Sequence, residues 1–367
     1  MDGCSTRRIC LVTTPFGVYI HIPFCSRRCD YCAFATWSDR HHLQDAYLDA
    51  LTVEIAREVE QGMPVATSVF VGGGTPSLVD PDRLAQIVSS IPVTAGAEIT
   101  IECNPESVTD AHVAAYMAAG VDRLSFGVQS LSADVLVSLG RDHNPDTVVR
   151  AVAIARAGGI RRLNLDLIYG GAGETIADWQ HTIEQVIALE PDHVSAYALT
   201  VEAGTPLADD PSRHPEDDDQ ADKYLIADSL LASAGYENYE ISNWARPGQE
   251  CAHNLLYWRQ GNYRGFGCAA HSHQDGRRWW NVRTPDRYID LVAGDESVEA
   301  SAEDLDPDRR RVEGLQLSLR TREGVPRRSL SESDIGLLDS LIVVAGDTIT
   351  LSTEGRLLAN EVAVRLR

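Results

Sequence analysis

Between residues 17 and 200 the chain alternates six times between a short strand-forming run and a stretch able to form helix. The strand-like runs are GVYIHI (17–22), TSVFVGG (67–73), EITIECNP (98–105), RLSFGVQS (123–130), RLNLDLIYG (162–170) and HVSAYALT (193–200). Most end in Gly, Asn, Ser or Thr, the residues of tight turns. LQDAYLDALTVEIAREVE (43–60), DAHVAAYMAAG (110–120) and IADWQHTIEQVIALE (176–190) place apolar side chains at helical spacing. Repeated β-then-α units call for parallel strands joined by right-handed crossovers. Six units suit a doubly wound sheet or a partial barrel, and the pattern alone does not choose between them.

After Thr200 the rhythm breaks. DDPSRHPEDDD (209–219) reads as an acidic surface loop and QADKYLIADSLLASAGY (220–236) as an amphipathic helix. Residues 1–236 are therefore expected to form the α/β core. Residues 237–303, rich in Asn, Trp, Tyr, His and Gly, are expected to be a connecting segment. In residues 304–367, DPDRRRVEGLQLSLR and SESDIGLLDSLIVVA read as helices, and DTITLSTEGRLLANEVAVRL as a hairpin with a last helix. That is a small winged-helix-like unit. Such units commonly bind DNA, but this one has no basic excess, so a packing or lid role is expected. The formal charge of the chain is −22, a surface that repels phosphate backbones. No apolar run approaches the roughly 20 residues of a membrane-spanning helix. MDGCSTRRICLVTT lacks an export signal, so a cytoplasmic location is expected.

Three of the eight cysteines crowd into IHIPFCSRRCDYCAF, just past the first strand. Cys4, Cys10, Cys103, Cys251 and Cys268 are scattered and read as small buried hydrophobes or inert thiols rather than a disulfide framework. Cys25, Cys29 and Cys32 form a C-x3-C-x2-C run, and thiolates are soft ligands for zinc or an iron–sulfur cluster. A structural zinc site wants a fourth ligand nearby, but the position two past Cys32 is Phe34. Three protein ligands suit a 4Fe–4S cubane whose last iron is left open to a small molecule.

This motif resembles that of the radical S-adenosylmethionine (SAM) superfamily. The resemblance implies a partial (β/α)6 radical SAM barrel, SAM chelating the fourth iron, and an external electron donor, since the cluster must work at a low potential. GGGTPS (72–77) resembles the family segment that meets the methionine amino group, which carries over Gly74 and Thr75. Glu102, Gln129, Arg141, Asp166 and Ala198, on IECNP, SFGVQS, LGRDHN, NLDLIYG and SAYAL, match SAM-contacting positions. Tyr19 and Tyr31, which flank the cysteines, match two more. Any one of these could be an ordinary turn or surface residue. As a set, at the carboxyl ends of parallel strands, they sit where such folds bind ligands.

The resemblance narrows to the oxygen-independent coproporphyrinogen III oxidase group, through HIPFC, GGGTPS, SFGVQS and NLDLIYG. Two features point to its haem-chaperone (HemW) branch. The oxidases carry a further cysteine where this chain has Phe34. HNLLYW (253–258) matches a motif that the branch associates with haem, which implies haem contacts from His253, Asn254, Tyr257 and Trp258. In a helix, His253 and Tyr257 would share a face at i, i+4, and a plain packing helix would look much the same. His271, in GFGCAAHSH, is a second candidate wall or ligand. Two departures stand out: YGGAGET (169–175) lacks the family's proline, and the register around Cys268 is shifted.

The resemblance thus implies haem delivery to acceptor haemoproteins such as those of a respiratory chain, with passing contact at the membrane surface and homodimerisation left open. The alternative within the group is an enzyme that decarboxylates coproporphyrinogen III. A winged-helix regulator with a redox-sensing cluster is a third reading, and the acidic charge opposes it.

Overall fold

The computed structural model describes residues 14–141 and 144–366. The N-terminal stretch with Cys4 and Cys10 lies outside the described residues, as do Asp142 and His143 of LGRDHN.

All six expected strands form: β1 (Phe16–Ile22), β2 (Ala66–Gly73), β3 (Val93–Cys103), β4 (Arg123–Gln129), β5 (Arg162–Tyr169) and β6 (His193–Ala198). The helices between them are α1 (Gln44–Glu60), α2 (Pro81–Ser89), α3 (Asp110–Ala118), α4 (Ala133–Ser138), α5 (Pro145–Ala157) and α6 (Ile176–Ala188). The strands are parallel and lie side by side in chain order. A doubly wound sheet would reverse that order at a switch point. Without a reversal, right-handed crossovers put every helix on one face, and the sheet is a partial barrel.

Strand side chains alternate between two different environments. Val18, Ile20, Val69, Val71, Ile101, Leu124, Phe126, Leu163, Leu165 and Val194 are buried in one hydrophobic cluster with the helices. The alternate positions carry Tyr19 and His21, Glu98 and Glu102, Arg123 and Ser125, Asn164 and Asp166, and His193 and Ser195. These face the lumen and hydrogen-bond to one another: Ser125 donates to Asp166 (2.6 Å), Asn164 to Ser195 (3.0 Å), and Arg123 pairs with Glu98 (3.0 Å). The apolar face drives the fold, whereas the polar face has to be satisfied internally.

Helix starts are set locally. Asp80, Asn144 and Thr284 each precede a proline and accept backbone N–H bonds at the starts of α2, α5 and the later helix Pro285–Ala293. The segment read as an acidic loop ends inside a helix: α7 spans Asp217–Ser233, and Asp217, Asp218 and Asp219 occupy its first turn, where the helix dipole favours negative charge. The proline-less YGGAGET turn is held by Glu174. Its carboxylate accepts the Gly170 N–H (2.7 Å) and pairs with Lys223 (3.2 Å), both side chains being fully buried.

Residues 237–303 extend the sheet at both edges. β7 (Glu237–Glu240) and β8 (Asn243–Ala245) form a hairpin against β6. After α8 (Ala252–Trp258), β9 (Asn262–Phe266) lies parallel to β1 on the opposite edge. β10 (His271–Gln274), β11 (Arg277–Asn281), α9 (Pro285–Ala293) and β12 (Glu299–Asp304) follow, and the strands continue antiparallel. Among the described residues the sheet has twelve strands. Phe266, Cys268, Tyr288 and Leu291 join the barrel's hydrophobic cluster, so this segment packs as part of the core. Cys103, Cys251 and Cys268 are buried free thiols.

The C-terminal unit comprises α10 (Pro307–Ser318), β13 (Val325–Pro326), α11 (Glu332–Leu338), β14 (Ile342–Ala345), β15 (Thr348–Leu351), α12 (Thr353–Leu357) and α13 (Ala359–Arg365). Its small antiparallel sheet, in the order β13-β15-β14, packs on a separate cluster that includes Leu319, Ile349 and Val362. The helix expected over SESDIGLLDSLIVVA stops at Leu338. Ile342–Ala345 is a strand, and the hairpin is the one it makes with β15. A run of β-branched residues there favours sheet.

Candidate functional site

The chain leaves β1 at Ile22 and forms a loop closed by two backbone bonds, Cys25 N–H to Trp37 O (3.1 Å) and Trp37 N–H to Pro23 O (2.8 Å). Cys25, Cys29 and Cys32 ride on it as half-buried free thiols. Burial raises the pKa of Cys25 and Cys32, so these thiols wait for a metal's charge before giving up their protons. Among the described residues no group of His, Cys, Asp or Glu side chains is arranged to hold a single metal ion. The three thiols instead line a cavity of about 550 Å³, as a ligand larger than one ion requires.

That cavity collects most of the expected SAM residues. Tyr31, Gly74, Thr75, Glu102, Gln129, Arg141, Asp166 and Ala198 all lie on its wall with the three cysteines. The GGGTPS turn is pinned to the cysteine loop by Gly74 N–H to Ile22 O and Thr75 N–H to Phe24 O, both 2.7 Å. A Cβ on Gly74 would stand 2.6 Å from Phe24 O and 2.9 Å from Ile22 O, so only glycine allows this approach. Thr75 Oγ1 lies 3.8 Å from Cys25 Sγ. Arg141 reaches Cys29 Sγ (3.5 Å), Asn104 Oδ1 (3.1 Å) and Gly127 O (3.0 Å), while its buried Nε has no partner among the described residues. Gln129 turns into the left-handed region (φ 65°) at a bulge that ends β4.

Two carboxylates face this space. Burial, and then the neighbouring Asp166, push Glu102 up to about 8, offset only by the Gly73 N–H at 3.1 Å. Burial also raises Asp166, against hydrogen bonds from Ser125, Ser195 and Asn164. Among the described residues neither has an ion-pair partner. A pair of buried acids without a cation suits a ligand that brings an ammonium group. The donor set fits a cluster and an amino-acid ligand together. Asn104 was not singled out from sequence, yet it links Thr75 (3.3 Å) to Arg141. Tyr197 also lines the wall.

Tyr19 lines a second cavity of about 790 Å³, which shares Ala33, Phe34, Gly73 and Glu102 with the first. HNLLYW forms α8, which packs against β1 and β2. Burial would raise Glu98, but Arg123 and the groups at the helix start hold its carboxyl below its usual range. Glu98 accepts the His253 N–H (3.1 Å), and Arg123 donates to Gln249 O and Glu250 O (2.9 and 3.2 Å). His253 and Tyr257 do share a face. His253 is 1% exposed and sits behind Tyr257, with Nδ1 bonded to Ser68 Oγ (2.9 Å) and Nε2 to Tyr257 OH (2.8 Å). Burial pulls its pKa down to about 4. Tyr257 lines the large cavity. Asn254 turns toward Tyr239, and Trp258 lines neither cavity. His271 is on the wall, with His273, Tyr263, Arg278, Trp280 and Arg283, which sequence reasoning passed over. Their one signal was the aromatic, basic run RRWWN (277–281).

Residues 19–186 match the model of the radical SAM superfamily. The heme chaperone HemW of Mycobacterium tuberculosis is 40% identical over 365 residues, covering 95% of this chain and 94% of that protein. The heme chaperone HemW of Bacillus subtilis is 33% identical over 369 residues, covering 94% of this chain and 97% of that protein. Among solved structures, coproporphyrinogen III oxidase (HemN) from Escherichia coli, described as a radical SAM enzyme, superposes with a TM-score of 0.84. It is 23% identical, covering 96% of this chain and 90% of that one, a likeness of fold. With 33–40% identity to those chaperones along nearly its whole length, on a barrel that gathers its three cysteines at one cavity, the chain belongs to the HemW family of the radical SAM superfamily.

Proposed function

We propose that this chain is a haem chaperone: it binds haem in the 790 Å³ cavity and passes it to acceptor haemoproteins. Beside that cavity, Cys25, Cys29 and Cys32 would hold a 4Fe–4S cluster. Gly74, Thr75, Glu102, Gln129, Arg141, Asp166 and Ala198 would surround SAM on its open iron, with Tyr31 packed alongside. Cluster and SAM together supply low-potential one-electron chemistry, fed by an external donor. The chain's own part is to orient and shield: Arg141 steadies Cys29, while burial keeps the Glu102 and Asp166 carboxyls inclined to hold their protons until an ammonium group arrives to ionise them.

The observation that carries the reading is the large cavity itself, walled by Tyr257 of HNLLYW and joined to the thiol cavity at Phe34. Its volume is that of a site for a sizeable organic ligand, within the roughly 300–1,000 Å³ usual for such pockets. Phe34, 66% exposed, offers an apolar ring where the oxidase group carries a further cysteine. His253 and Tyr257 contribute as a hydrogen-bonded pair that shapes the wall, Tyr19 lies on that wall, and Asn254 and Trp258 of the same helix stand outside both cavities. No described helix is long and apolar enough to cross a membrane, so a membrane-bound acceptor would be met at the surface.

Two assays test the proposal. Hemin added to the reconstituted protein should give a saturable Soret band. Anaerobic incubation with SAM, a reductant and coproporphyrinogen III should give no protoporphyrinogen. Absence of the Soret band, or robust turnover, would return the chain to the oxidase reading.

A further inference from the structure

The cavity carries an iron-binding choice that HNLLYW does not settle, and the inference drawn from it rests on the haem reading above. Four imidazoles stand on or just behind the cavity wall, and three are already committed. His21 has Nδ1 bonded to Tyr19 OH (3.0 Å) and Nε2 to Ala35 O (2.9 Å). His253 is engaged by Ser68 and Tyr257 and lies behind the wall. His273 has Nδ1 on Gly261 O (2.9 Å) and accepts the Gly276 N–H at Nε2 (3.1 Å). For any of these to bind iron, a buried hydrogen bond must break.

His271 differs. Among the described residues its ring nitrogens have no hydrogen-bond partner, and it is exposed at the cavity wall. Its orientation is nevertheless fixed. It sits at the start of β10 directly across from Trp280 of β11, and the two rings stack with centroids 5.6 Å apart at 25°. A side chain on a strand, backed by an aromatic plane, is a rigid mount for a ligand. The guanidinium groups divide in the same way. Arg278 is paired with Glu303 (2.7 Å) and Glu313 (2.9 Å), whereas Arg283 has no ion-pair or hydrogen-bond partner among the described residues and lies on the same wall.

We propose that His271 supplies the nitrogen that binds haem iron and that Arg283 receives a propionate, while His253 is a positioning residue acting through Tyr257. Imidazole is the commonest protein ligand of haem iron, and a guanidinium matches a carboxylate in both charge and geometry.

The test uses the full chain carrying its cluster, with hemin and metal-free protoporphyrin IX as probes. Metal-free porphyrin reports the pocket without the iron bond. His271→Ala should weaken hemin at least about tenfold and replace the histidine-ligated visible and EPR spectrum, and added imidazole should restore both. Its loss for protoporphyrin IX should be clearly smaller than its loss for hemin. Arg283→Gln should weaken both probes to a similar degree. His253→Ala should weaken both probes while any hemin that binds keeps the histidine-ligated spectrum. If wild-type protein binds neither probe, the haem reading itself fails. If wild type binds hemin, but His271→Ala keeps the histidine-ligated spectrum and His253→Ala loses it, the assignment to His271 is overturned and the cavity reading survives.

Discussion

Replacing Glu102 by Gln should change how stability depends on pH, by an amount set by the burial of its carboxyl beside Asp166. Glu102 is driven up to about 8 by burial and by the Asp166 carboxylate, with one compensating bond from Gly73 N–H. In the unfolded chain its pKa falls back to the ordinary glutamate value. The folded form therefore holds its proton more tightly, and stability is lost as pH rises from the unfolded pKa through the folded one. At 1.36 kcal/mol per unit, full ionisation costs about 5 kcal/mol, of which about 3 kcal/mol falls between pH 5.5 and 8.5. Gln has the same shape and no titration. Urea unfolding of cluster-free protein should show wild type losing stability against Glu102→Gln by about that amount across the window. The comparison cancels the cysteine thiols, which titrate in both proteins. Parallel curves would mean that Glu102 is not the strained buried acid described here.

Gly74→Ala should lower both thermal stability and cluster content, because the new methyl meets two backbone carbonyls that cannot swing aside. A cost of about 1–3 kcal/mol is expected, and unchanged iron content and melting would contradict the pinned turn. Lys223→Met removes the ammonium from Glu174, leaving a carboxylate with no exposed surface. That should destabilise by about 3 kcal/mol, measured by denaturant unfolding, with the double variant Lys223→Met/Glu174→Gln recovering much of the loss, since a neutral amide oxygen can still accept the Gly170 N–H. A double variant no better than the single one would show that the pair does more than satisfy its own charges.

The six βα units were legible because period-two strands and helical spacing are local properties. The bounds read from sequence hold to within two residues except at β3, which begins at Val93, five residues before EITIEC; α2, α4 and α5 were not bounded. Strand order was not, since the same units serve a doubly wound sheet. Only packing shows that β1 to β6 run in sequence. β9 to β12 were missed for a related reason: NYRGF and RRWWN carry arginines and aromatics, and NYRGF becomes a strand by pairing with the open edge of β1 while RRWWN pairs with β10 and β12 further out. EITIEC and RLNLDL held a signal that could have been used. Their alternate residues Glu98, Glu102, Asn164 and Asp166 are too polar for a core face and mark a lumen filled with hydrogen bonds. SLIVVA was ambiguous, as short apolar runs are. HNLLYW forms a helix, and His253 and Tyr257 share one of its faces, as their i, i+4 spacing implied. Sequence could not tell that the face turns inward, because Ser68, Phe70 and Glu98, which surround His253, come from strands far away in the chain.

Electron paramagnetic resonance of the anaerobically purified, reduced protein, recorded with and without SAM, tests the central claim most directly. Three thiolates on a cubane with one open iron predict iron and sulfide in equal amounts, and a reduced signal that shifts when SAM is added. They also predict that Cys29→Ser loses both metal and signal. Colourless protein, bound zinc, or a cluster signal indifferent to SAM would contradict the account.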